Sequence, residues 1–368
     1  MATMPSHIPK AASEITTEWL TAALRAGGSV GDVTVEDVRL EALAAGVGYM
    51  GEVVRLHLAS SGGSAPATMI AKVPTQDPTL RAMMKPTRVY EREARFFDEI
   101  AAGLPIRVPA CYRAAFDLDA DDYLILMEDL GDTPTGDQAV GVSVDDADRV
   151  LRTLARFHAH FWGNRNGLAS FDFVPDTNGA LNKFGEGIYA ASLPGFMDGW
   201  GHLLVPEMQD PAARFGPNVP QLLDRLFAMP STLVHGDFRA DNLFFGTDSA
   251  GRPEITVIDF QAISRGGAAN DVGYFVSQNL SVADRRAHEH ALLDAYHETL
   301  VAEGVTGYSR EQLFEDYRVG VMYGWVIPVL AGGSLDTSSD RAKVLWTAVI
   351  DRVQTAILDL GCTALLTV

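Results

Sequence analysis

Two stretches near the start of the chain carry the apolar and polar positions of β-strands. Residues 33–40 have extended character, and residues 53–58 carry apolar side chains at every second position. A period of two is typical of strands, because successive side chains point to opposite faces of the sheet. Residues 69–73 form a third strand-like run. Residues 13–26 read as a helix that precedes all three, with polar residues suited to an N-cap at its start.

The remainder of the chain combines a few strand-like runs with long helical segments. Residues 123–127 read as a buried strand, and residues 255–258 read as another. Residues 163–230 are mostly helical material. The apolar stretch 319–333 is too short for a membrane span and contains Pro328 and several glycines, so it predicts a buried helix.

Length, charge and cysteine usage narrow the class of protein. A chain of 368 residues can bury a large core, and two domains or lobes are expected. The 48 acidic and 29 basic residues give a formal charge of −19, which repels nucleic acid and anionic lipid and argues against either partner. The first ten residues lack the layout of a signal peptide, and the two cysteines match no metal or redox spacing. We therefore predict a cytoplasmic protein with buried thiols in a reducing compartment.

Three glycines, Gly46, Gly48 and Gly51, form the pattern G-x-G-x-x-G. Dinucleotide-binding loops and kinase phosphate loops share this pattern, since both let backbone approach phosphate closely. A dinucleotide loop leads into a helix, whereas here residues 53–58 have the period of a strand. The glycines therefore predict the tip of a hairpin that covers ATP phosphates, with a plain structural turn as the alternative.

The most informative stretch is residues 231–261. His235, Gly236 and Asp237 are followed by Asn242 in the pattern H-G-D-x-x-x-x-N, and a strand further on ends at Asp259. Phosphoryl transfer needs a carboxylate beside the attacking hydroxyl and oxygen ligands for Mg²⁺. Asp237 is the candidate to accept or orient the hydroxyl proton. Asn242 and Asp259 lie on the two arms of a predicted hairpin, so they can converge on one Mg²⁺ ion.

The motifs in residues 231–261 resemble those of the aminoglycoside phosphotransferase and choline-kinase-like superfamily, a small-molecule branch of the protein-kinase-like fold. The text HGDFRADNLFF followed by VIDFQ is similar to the ecdysteroid-kinase-like group and to bacterial phosphotransferases of uncertain substrate. It departs from the HGDLHPGN of typical aminoglycoside enzymes, which puts antibiotic specificity in doubt. The resemblance implies an α+β, bilobal fold. The small lobe, residues 1–129, would hold an antiparallel sheet, one helix and the nucleotide, and the mostly helical lobe, residues 130–368, would hold the catalytic loop.

The resemblance assigns nucleotide contacts in the small lobe. Lys72 would hold the α- and β-phosphates and pair with Glu93, with Glu91 as the near alternative. Residues 123–131 look like the inter-lobe hinge, whose backbone would meet the adenine; the residues concerned are Glu128, Asp129 and Leu130. A solvated surface lysine is the alternative for Lys72.

The resemblance also assigns roles around the catalytic loop. His235 would brace the loop, and Asp271 would do so through backbone hydrogen bonds, a role compatible with that of a plain N-cap. Arg239 would stabilise charge that develops on the transferring phosphate, with a surface arginine as the alternative. His158 reads as structural rather than catalytic.

The predicted activity is O-phosphotransfer from ATP or GTP, with Mg²⁺, to a hydroxyl of a small molecule. The acceptor would be a ring-bearing or partly apolar alcohol, sterol-like or an antibiotic, because aromatic residues recur in the regions that build the acceptor site in this superfamily. These residues are Phe171, Phe173, Phe184, Tyr189, Phe196, Trp200, Tyr317, Tyr323 and Trp325. For any one of them, a place in the core is the better interpretation. A catalytically silent nucleotide-binding module and, less favoured, a protein kinase are the alternatives, and the oligomeric state stays open.

Overall fold

The computed structural model describes residues 7–43, 51–179 and 185–367. The chain divides into two compact units. The smaller unit consists of Met1–Thr133 and Ile258–Ala262, and the larger one of Pro134–Val257 and Ile263–Val368.

The smaller unit is built on a five-stranded antiparallel sheet with the order β1-β2-β3-β5-β4. Its strands are β1 (Thr34–Ala42), β2 (Gly51–Ser61), β3 (Thr68–Pro74), β4 (Cys111–Asp117) and β5 (Asp122–Glu128). The predicted alternation of β2 is visible in its burial, since Val54 and Leu56 are buried. On β3, Ala71 and Val73 point into the same core, which leaves Lys72 between them on the opposite face.

Three helices accompany this sheet: α1 (Thr17–Gly27), α2 (Pro78–Met84) and α3 (Val89–Arg95). The hydroxyl of Thr16 caps α1 by accepting a hydrogen bond from the backbone N–H of Trp19, and Gly28 ends the helix in the left-handed conformation. The buried side of α1 packs into the core of the sheet through Leu20 and Leu24. Burial of each such leucine stabilises the fold by about 1.5–3 kcal/mol.

The larger unit is mostly helical. Its helices are α4 (Val144–Phe161), α5 (Gly185–Trp200), α6 (Pro206–Ala228), α7 (Ala269–Asn279), α8 (Val282–Ala302), α9 (Arg310–Gly324), α10 (Val326–Ser334) and α11 (Asp340–Asp359). Two short antiparallel pairs complete it: β6 (Ser231–Val234) with β9 (Ser264–Gly267), and β7 (Leu243–Thr247) with β8 (Pro253–Val257). The predicted α+β class, with an antiparallel smaller part and a mostly helical larger part, is confirmed. In the described segments, no helix combines the length and apolar character of a membrane span.

The apolar stretch 319–333 differs from its prediction, because it forms parts of two helices instead of one. Pro328 has no N–H to donate to the carbonyl of Gly324, four residues earlier. That carbonyl accepts a hydrogen bond of 2.9 Å from the side-chain amide of Gln278 instead. The chain therefore turns at Trp325, between α9 and α10.

Helix α7 is fixed along its axis relative to α9 by a close contact between glycines of the two helices. A Cβ atom at Gly320 of α9 would overlap the carbonyl oxygen of Ala269, and a Cβ at Gly273 of α7 would overlap the backbone of Gly320. The two backbones thus touch, and side chains on this face would push the helices apart.

We predict that Gly320→Ala destabilises the larger unit by about 3 kcal/mol, because the added methyl group overpacks this contact. Gly199→Ala is the matched control, since Gly199 also lies in a helix and a methyl group added there would have no atom within 4 Å. The control should be stabilising by about 0.5–1 kcal/mol. Urea titration followed by hydrogen exchange of α7 peptides measures both. Equal stability of the two variants would show that the α7–α9 contact can relax.

Candidate active site

A buried lysine lies between two carboxylates in the smaller unit. The Nζ atom of Lys72 is 2.5 Å from Oε1 of Glu93 on α3 and 3.2 Å from Oδ1 of Asp259. Glu93 is 1% exposed, whereas Lys72 and Asp259 keep 14% and 20% of their side chains exposed. The ammonium is therefore fixed in position but still accessible. The alternative of a solvated surface lysine is wrong for Lys72.

Electrostatics keep this lysine charged. Burial alone would lower the pKa of Lys72, but the carboxylates of Asp259 and Glu93 outweigh it and hold that pKa above its ordinary value. Burial also raises the pKa of Glu93, and the ammonium of Lys72 opposes this shift. Lys72 therefore keeps its proton and its position, and its ammonium can donate a charge-assisted hydrogen bond to an anionic group.

Glu91, the near alternative for the partner of Lys72, faces elsewhere. Its carboxylate forms ion pairs with Arg88 at 2.5 Å and with Arg95 at 3.4 Å. Glu91 and Glu93 are two residues apart on a helix, so their side chains point to different faces.

Asp259 has an unusual backbone conformation. Its φ angle is +70°, in the left-handed region that non-glycine residues rarely adopt. Next to it, Phe260 stacks on Phe96 from the turn that continues α3, with ring centroids 3.7 Å apart. The packed ring anchors the segment, and strained backbone of this kind concentrates at functional sites.

Each of the three predicted hinge residues already forms hydrogen bonds within the smaller unit. Both carboxylate oxygens of Glu128 accept hydrogen bonds from Arg107, at 2.6 and 2.5 Å. The carboxylate of Asp129 binds Arg55, and the carbonyl of Leu130 accepts from Thr133. The backbone N–H of Glu128 donates to the carbonyl of Ala110 at 2.8 Å, so any contact of Glu128 or Asp129 with a base would come from their other backbone groups, and that contact stays a prediction.

Of the three glycines, Gly46 and Gly48 lie outside the described residues. Gly51 opens β2, and a Cβ atom there would be 2.8 Å from the carbonyl oxygen of Val73 and 2.9 Å from the hydroxyl of Tyr123. Close packing inside the sheet is thus reason enough for a glycine at position 51.

In the larger unit, a buried carboxylate holds the backbone of the loop that follows β6. Oδ2 of Asp271 accepts from the N–H of His235 at 2.7 Å, and Oδ1 accepts from the N–H of Gly236 at 2.8 Å. Asp271 and His235 are both fully buried. The predicted bracing of the loop by Asp271 is confirmed.

A second layer of hydrogen bonds fixes Asp271 in turn. Nε2 of His158 lies 3.1 Å from Oδ2 of Asp271, and Nδ1 of the same ring lies 2.7 Å from the hydroxyl of Tyr296. The backbone carbonyl of His158 accepts from Thr232 of β6. His158 is fully buried, which agrees with the prediction of a structural role.

The carboxylate of Asp237 has two unequal oxygens. Oδ2 accepts from the side-chain amide of Asn242 at 3.0 Å and from Nε of Arg239 at 3.3 Å. Oδ1 lies 3.4 Å from the hydroxyl of Tyr274. The backbone N–H of Asp237 points to Nδ1 of His235 at 3.3 Å. Residues 235, 237, 239 and 242, which the sequence analysis singled out, are therefore brought together.

Arg239 belongs to a row of alternating charges. It binds Asp237 on one side and Asp241, at 3.1 Å, on the other; Asp241 then binds Arg341 of α11, which forms a two-pronged pair with Asp137. Burial would lower the pKa of Arg239, but Asp237 and other neighbours outweigh it and raise that pKa. Arg239 is thus oriented by ion pairs and is not a free surface arginine.

Sequence reasoning missed Asp137, Asp241, Tyr274 and Arg341. Asp241 stands beside Asn242 in the motif, and Tyr274 follows Asp271 by one helical turn, so both carried a local signal. Asp137 and Arg341 are 204 positions apart and carried none.

The candidate acceptor aromatics are mostly core residues. Those that are buried are Phe173, Tyr189, Phe196, Trp200, Tyr317 and Trp325. Phe171 and Tyr323 are half-buried, and Phe184 lies outside the described residues. The core interpretation is therefore confirmed for six of these positions.

We predict that Asp271→Asn destabilises the larger unit by about 3 kcal/mol, because the amide can accept only one of the two backbone hydrogen bonds and leaves a buried N–H unpaired. Asp119→Asn, at an exposed position in the turn between β4 and β5, should change stability by less than about 0.5 kcal/mol. Hydrogen exchange of peptides from β6 and α7 during urea titration measures both. A wild-type value for Asp271→Asn would mean that the loop is held by other contacts.

Several proteins of known structure resemble this chain over most of its length. The chain is similar to a choline kinase from Cryptosporidium parvum, with 9% identity, a TM-score of 0.53 and coverage of 94% of this chain and 98% of the other. It is similar to a candidate aminoglycoside phosphotransferase from Ralstonia eutropha, with 17% identity, a TM-score of 0.53 and coverage of 95% and 98%. It is also similar to APH(2″)-IIIa, solved with GDP and kanamycin, with 14% identity, a TM-score of 0.52 and coverage of 96% and 100%.

These likenesses establish a kinase-like fold, in agreement with the prediction. No curated protein matches the chain. The model of the ecdysteroid kinase-like family matches residues 45–304, which is more than two thirds of the sequence. The chain therefore belongs to the ecdysteroid kinase-like family, and the suspected superfamily is confirmed.

Proposed function

We propose that the protein is a small-molecule kinase that transfers the γ-phosphoryl group of ATP or GTP to a hydroxyl group. The observation that carries this proposal is the set of hydrogen bonds around the carboxylate of Asp237. Its loop is braced by Asp271, its Oδ2 atom is held by Asn242 and Arg239, and its Oδ1 atom has a single long contact, to Tyr274, within the described part of the chain. Oδ1 thus retains lone pairs for an incoming hydroxyl.

In the proposed reaction, Oδ1 of Asp237 accepts a hydrogen bond from the acceptor hydroxyl and takes its proton as the transfer proceeds. A bond forms between the acceptor oxygen and the γ-phosphorus, and the bond from this phosphorus to the β–γ bridging oxygen breaks. Arg239 would stabilise the negative charge on the transferring group. Its pairing with Asp237 and Asp241 supports this role, because the guanidinium is oriented before the substrates arrive.

The residues present fit a Mg²⁺ ion. The side-chain nitrogen of Asn242 donates to Asp237, which leaves its carbonyl oxygen as a candidate ligand. Asn242 directly precedes β7 and Asp259 follows β8 by two residues, and Leu243 pairs with Val257 across this hairpin. Asn242 and Asp259 would hold the ion through oxygen atoms, the ligand type that Mg²⁺ prefers. When bound, Mg²⁺ neutralises phosphate charge.

The nucleotide would be held by the smaller unit. Lys72 is charged and oriented by Glu93 and Asp259, which supports a contact with the α- and β-phosphates. Residues 128–130 would meet the base through their backbone, and Gly46, Gly48 and Gly51 would cover the phosphates. The division between a nucleotide lobe, residues 1–129, and a catalytic lobe, residues 130–368, is part of this proposal, as is a cytoplasmic location.

For the acceptor we propose a ring-bearing or partly apolar alcohol of the sterol or antibiotic type. The family takes its name from ecdysteroid kinases, and APH(2″)-IIIa was solved with kanamycin. Both support a molecule with a hydroxylated ring system as the phosphoryl acceptor.

We predict that Glu93→Gln lowers kcat/KM for ATP about 10- to 100-fold, because Lys72 loses the carboxylate that orients it. Glu91→Gln is the matched control: it makes the same change two residues away, where the partners are Arg88 and Arg95. It should keep kcat/KM within about threefold of wild type. Steady-state kinetics, at a temperature where both variants are folded, measures kcat/KM for ATP of each variant and of the wild-type protein. Equal losses in the two variants would remove Lys72–Glu93 from the nucleotide site.

The activity itself is tested with a pooled library of hydroxylated metabolites, sterols and antibiotics, incubated with the protein, Mg²⁺ and ATP or GTP. Mass spectrometry should find one compound that gains a single phosphoryl group with the wild-type protein and not with Asp237→Asn, since the amide cannot take the proton. Binding of Mg·ATP without any product from ATP or GTP would favour a silent nucleotide-binding module. Phosphate on a protein instead of a small alcohol would favour a protein kinase.

A further inference from the structure

Helix α7 touches the catalytic loop at two points that are one helical turn apart. Asp271 binds the backbone N–H groups of His235 and Gly236, and Tyr274 reaches the side chain of Asp237. Residues three apart lie on the same face of a helix, so one face serves both contacts. The first contact sets where the loop runs, and the second bears on the direction of its carboxylate.

The three hydrogen-bond donors around Asp237 differ in the ligands that the proposed reaction assigns to them. Asn242 and Arg239 both bind Oδ2, and the proposed reaction assigns them to the metal ion and to the transferring phosphate. Asn242 would bind the metal through its carbonyl oxygen, and Arg239 would share its guanidinium between Asp237 and the phosphate. Tyr274 binds Oδ1 and has no assigned ligand. Its 3.4 Å contact with Oδ1 is therefore the one contact of the three donors that involves no proposed ligand.

Tyr274 is well suited to a fixed position. Its side chain is 5% exposed, and Gln138, which is also buried, lies beside its hydroxyl. Burial and then the charge of Asp237 raise the pKa of the Tyr274 phenol, so that it keeps its proton and remains a donor. The close backbone contact between Gly273 and Gly320 fixes the height of the helix that carries it.

From this geometry we infer that Tyr274 is a positioning residue, whose hydroxyl fixes the plane of the Asp237 carboxylate so that Oδ1 faces the acceptor hydroxyl. The inference rests on the proposed function and adds a residue to it. A carboxylate that is held only through Oδ2 can rotate about its Cβ–Cγ bond, and near-attack geometry is lost with small displacements of the reacting atoms. The spacing D-x-x-Y in residues 271–274 is the sequence counterpart of this arrangement.

Tyr274→Phe removes the hydroxyl and keeps the ring. Two rates are compared: phosphate release from Mg·ATP with water as the acceptor, and transfer to the library acceptor. We expect kcat for both reactions to fall about 10- to 100-fold. The Kd for Mg·ATP and the KM for the acceptor should change less than about twofold. Tyr308→Phe is the control, because Tyr308 is buried in the same unit and its hydroxyl donates to another carboxylate, Asp316, at 2.9 Å. This control should keep the wild-type kcat.

A wild-type kcat in Tyr274→Phe overturns the inference, and so does an equal fall of kcat in Tyr308→Phe, which would indicate a general effect of lost buried hydroxyls. If the wild-type protein neither transfers nor hydrolyses, the proposed function fails, and crystal structures of the same three proteins decide about Tyr274 separately. A rotated Asp237 carboxylate in Tyr274→Phe alone supports positioning. An unchanged carboxylate in that variant contradicts it.

Discussion

Two hydrogen bonds from the backbone of residues 235 and 236 to the buried carboxylate of Asp271 are the constraint on which the loop after β6 depends. A carboxylate without solvent contact is costly to bury, and it is retained only when every oxygen has partners. Here the partners are the loop itself and His158, whose other ring nitrogen lies within hydrogen-bonding distance of Tyr296. The cost of burying Asp271 is thus offset only when the loop adopts this path, which couples the shape of the loop to the core of the larger unit.

In the smaller unit, too, a buried carboxylate holds a hydrogen-bond donor in place. Lys72 sits on the face of β3 opposite the apolar core, and its charge is kept by two carboxylates, one on α3 and one at Asp259. In water such an ion pair would contribute little, but burial of Glu93 strengthens it and fixes the direction of the ammonium. Among the described residues, each unit thus contains a buried carboxylate that holds another group in place: Glu93 for Lys72, and Asp271 for the loop after β6.

The sequence was most informative where chemistry depends on local spacing. The spacing of the motif placed Asp237 and Asn242 close together, as the structure shows, and the resemblance supplied the contact of Asp271 with the loop. The resemblance favoured Glu93 over Glu91 as the partner of Lys72, and the structure confirms that pairing; excluding Glu91 required the orientation of α3 against the sheet. Asp137 and Arg341 meet only through the packing of the whole larger unit, and the break at Trp325 required the knowledge that Gln278 would satisfy the carbonyl of Gly324. Gly51 shows the opposite case, in which a residue of a nucleotide-binding pattern also has a packing role.

In the proposed function, Lys72 binds the phosphates of a nucleotide whose γ-phosphoryl group is transferred at Asp237. The most direct measurement is a crystal structure of the wild-type protein with Mg²⁺ and a non-hydrolysable ATP analogue. We expect a metal ion that takes oxygen ligands from Asn242 and Asp259, with Lys72 on the α- and β-phosphates and the terminal phosphate in contact with Arg239. Nucleotide phosphates bound away from these four residues would contradict the proposed function.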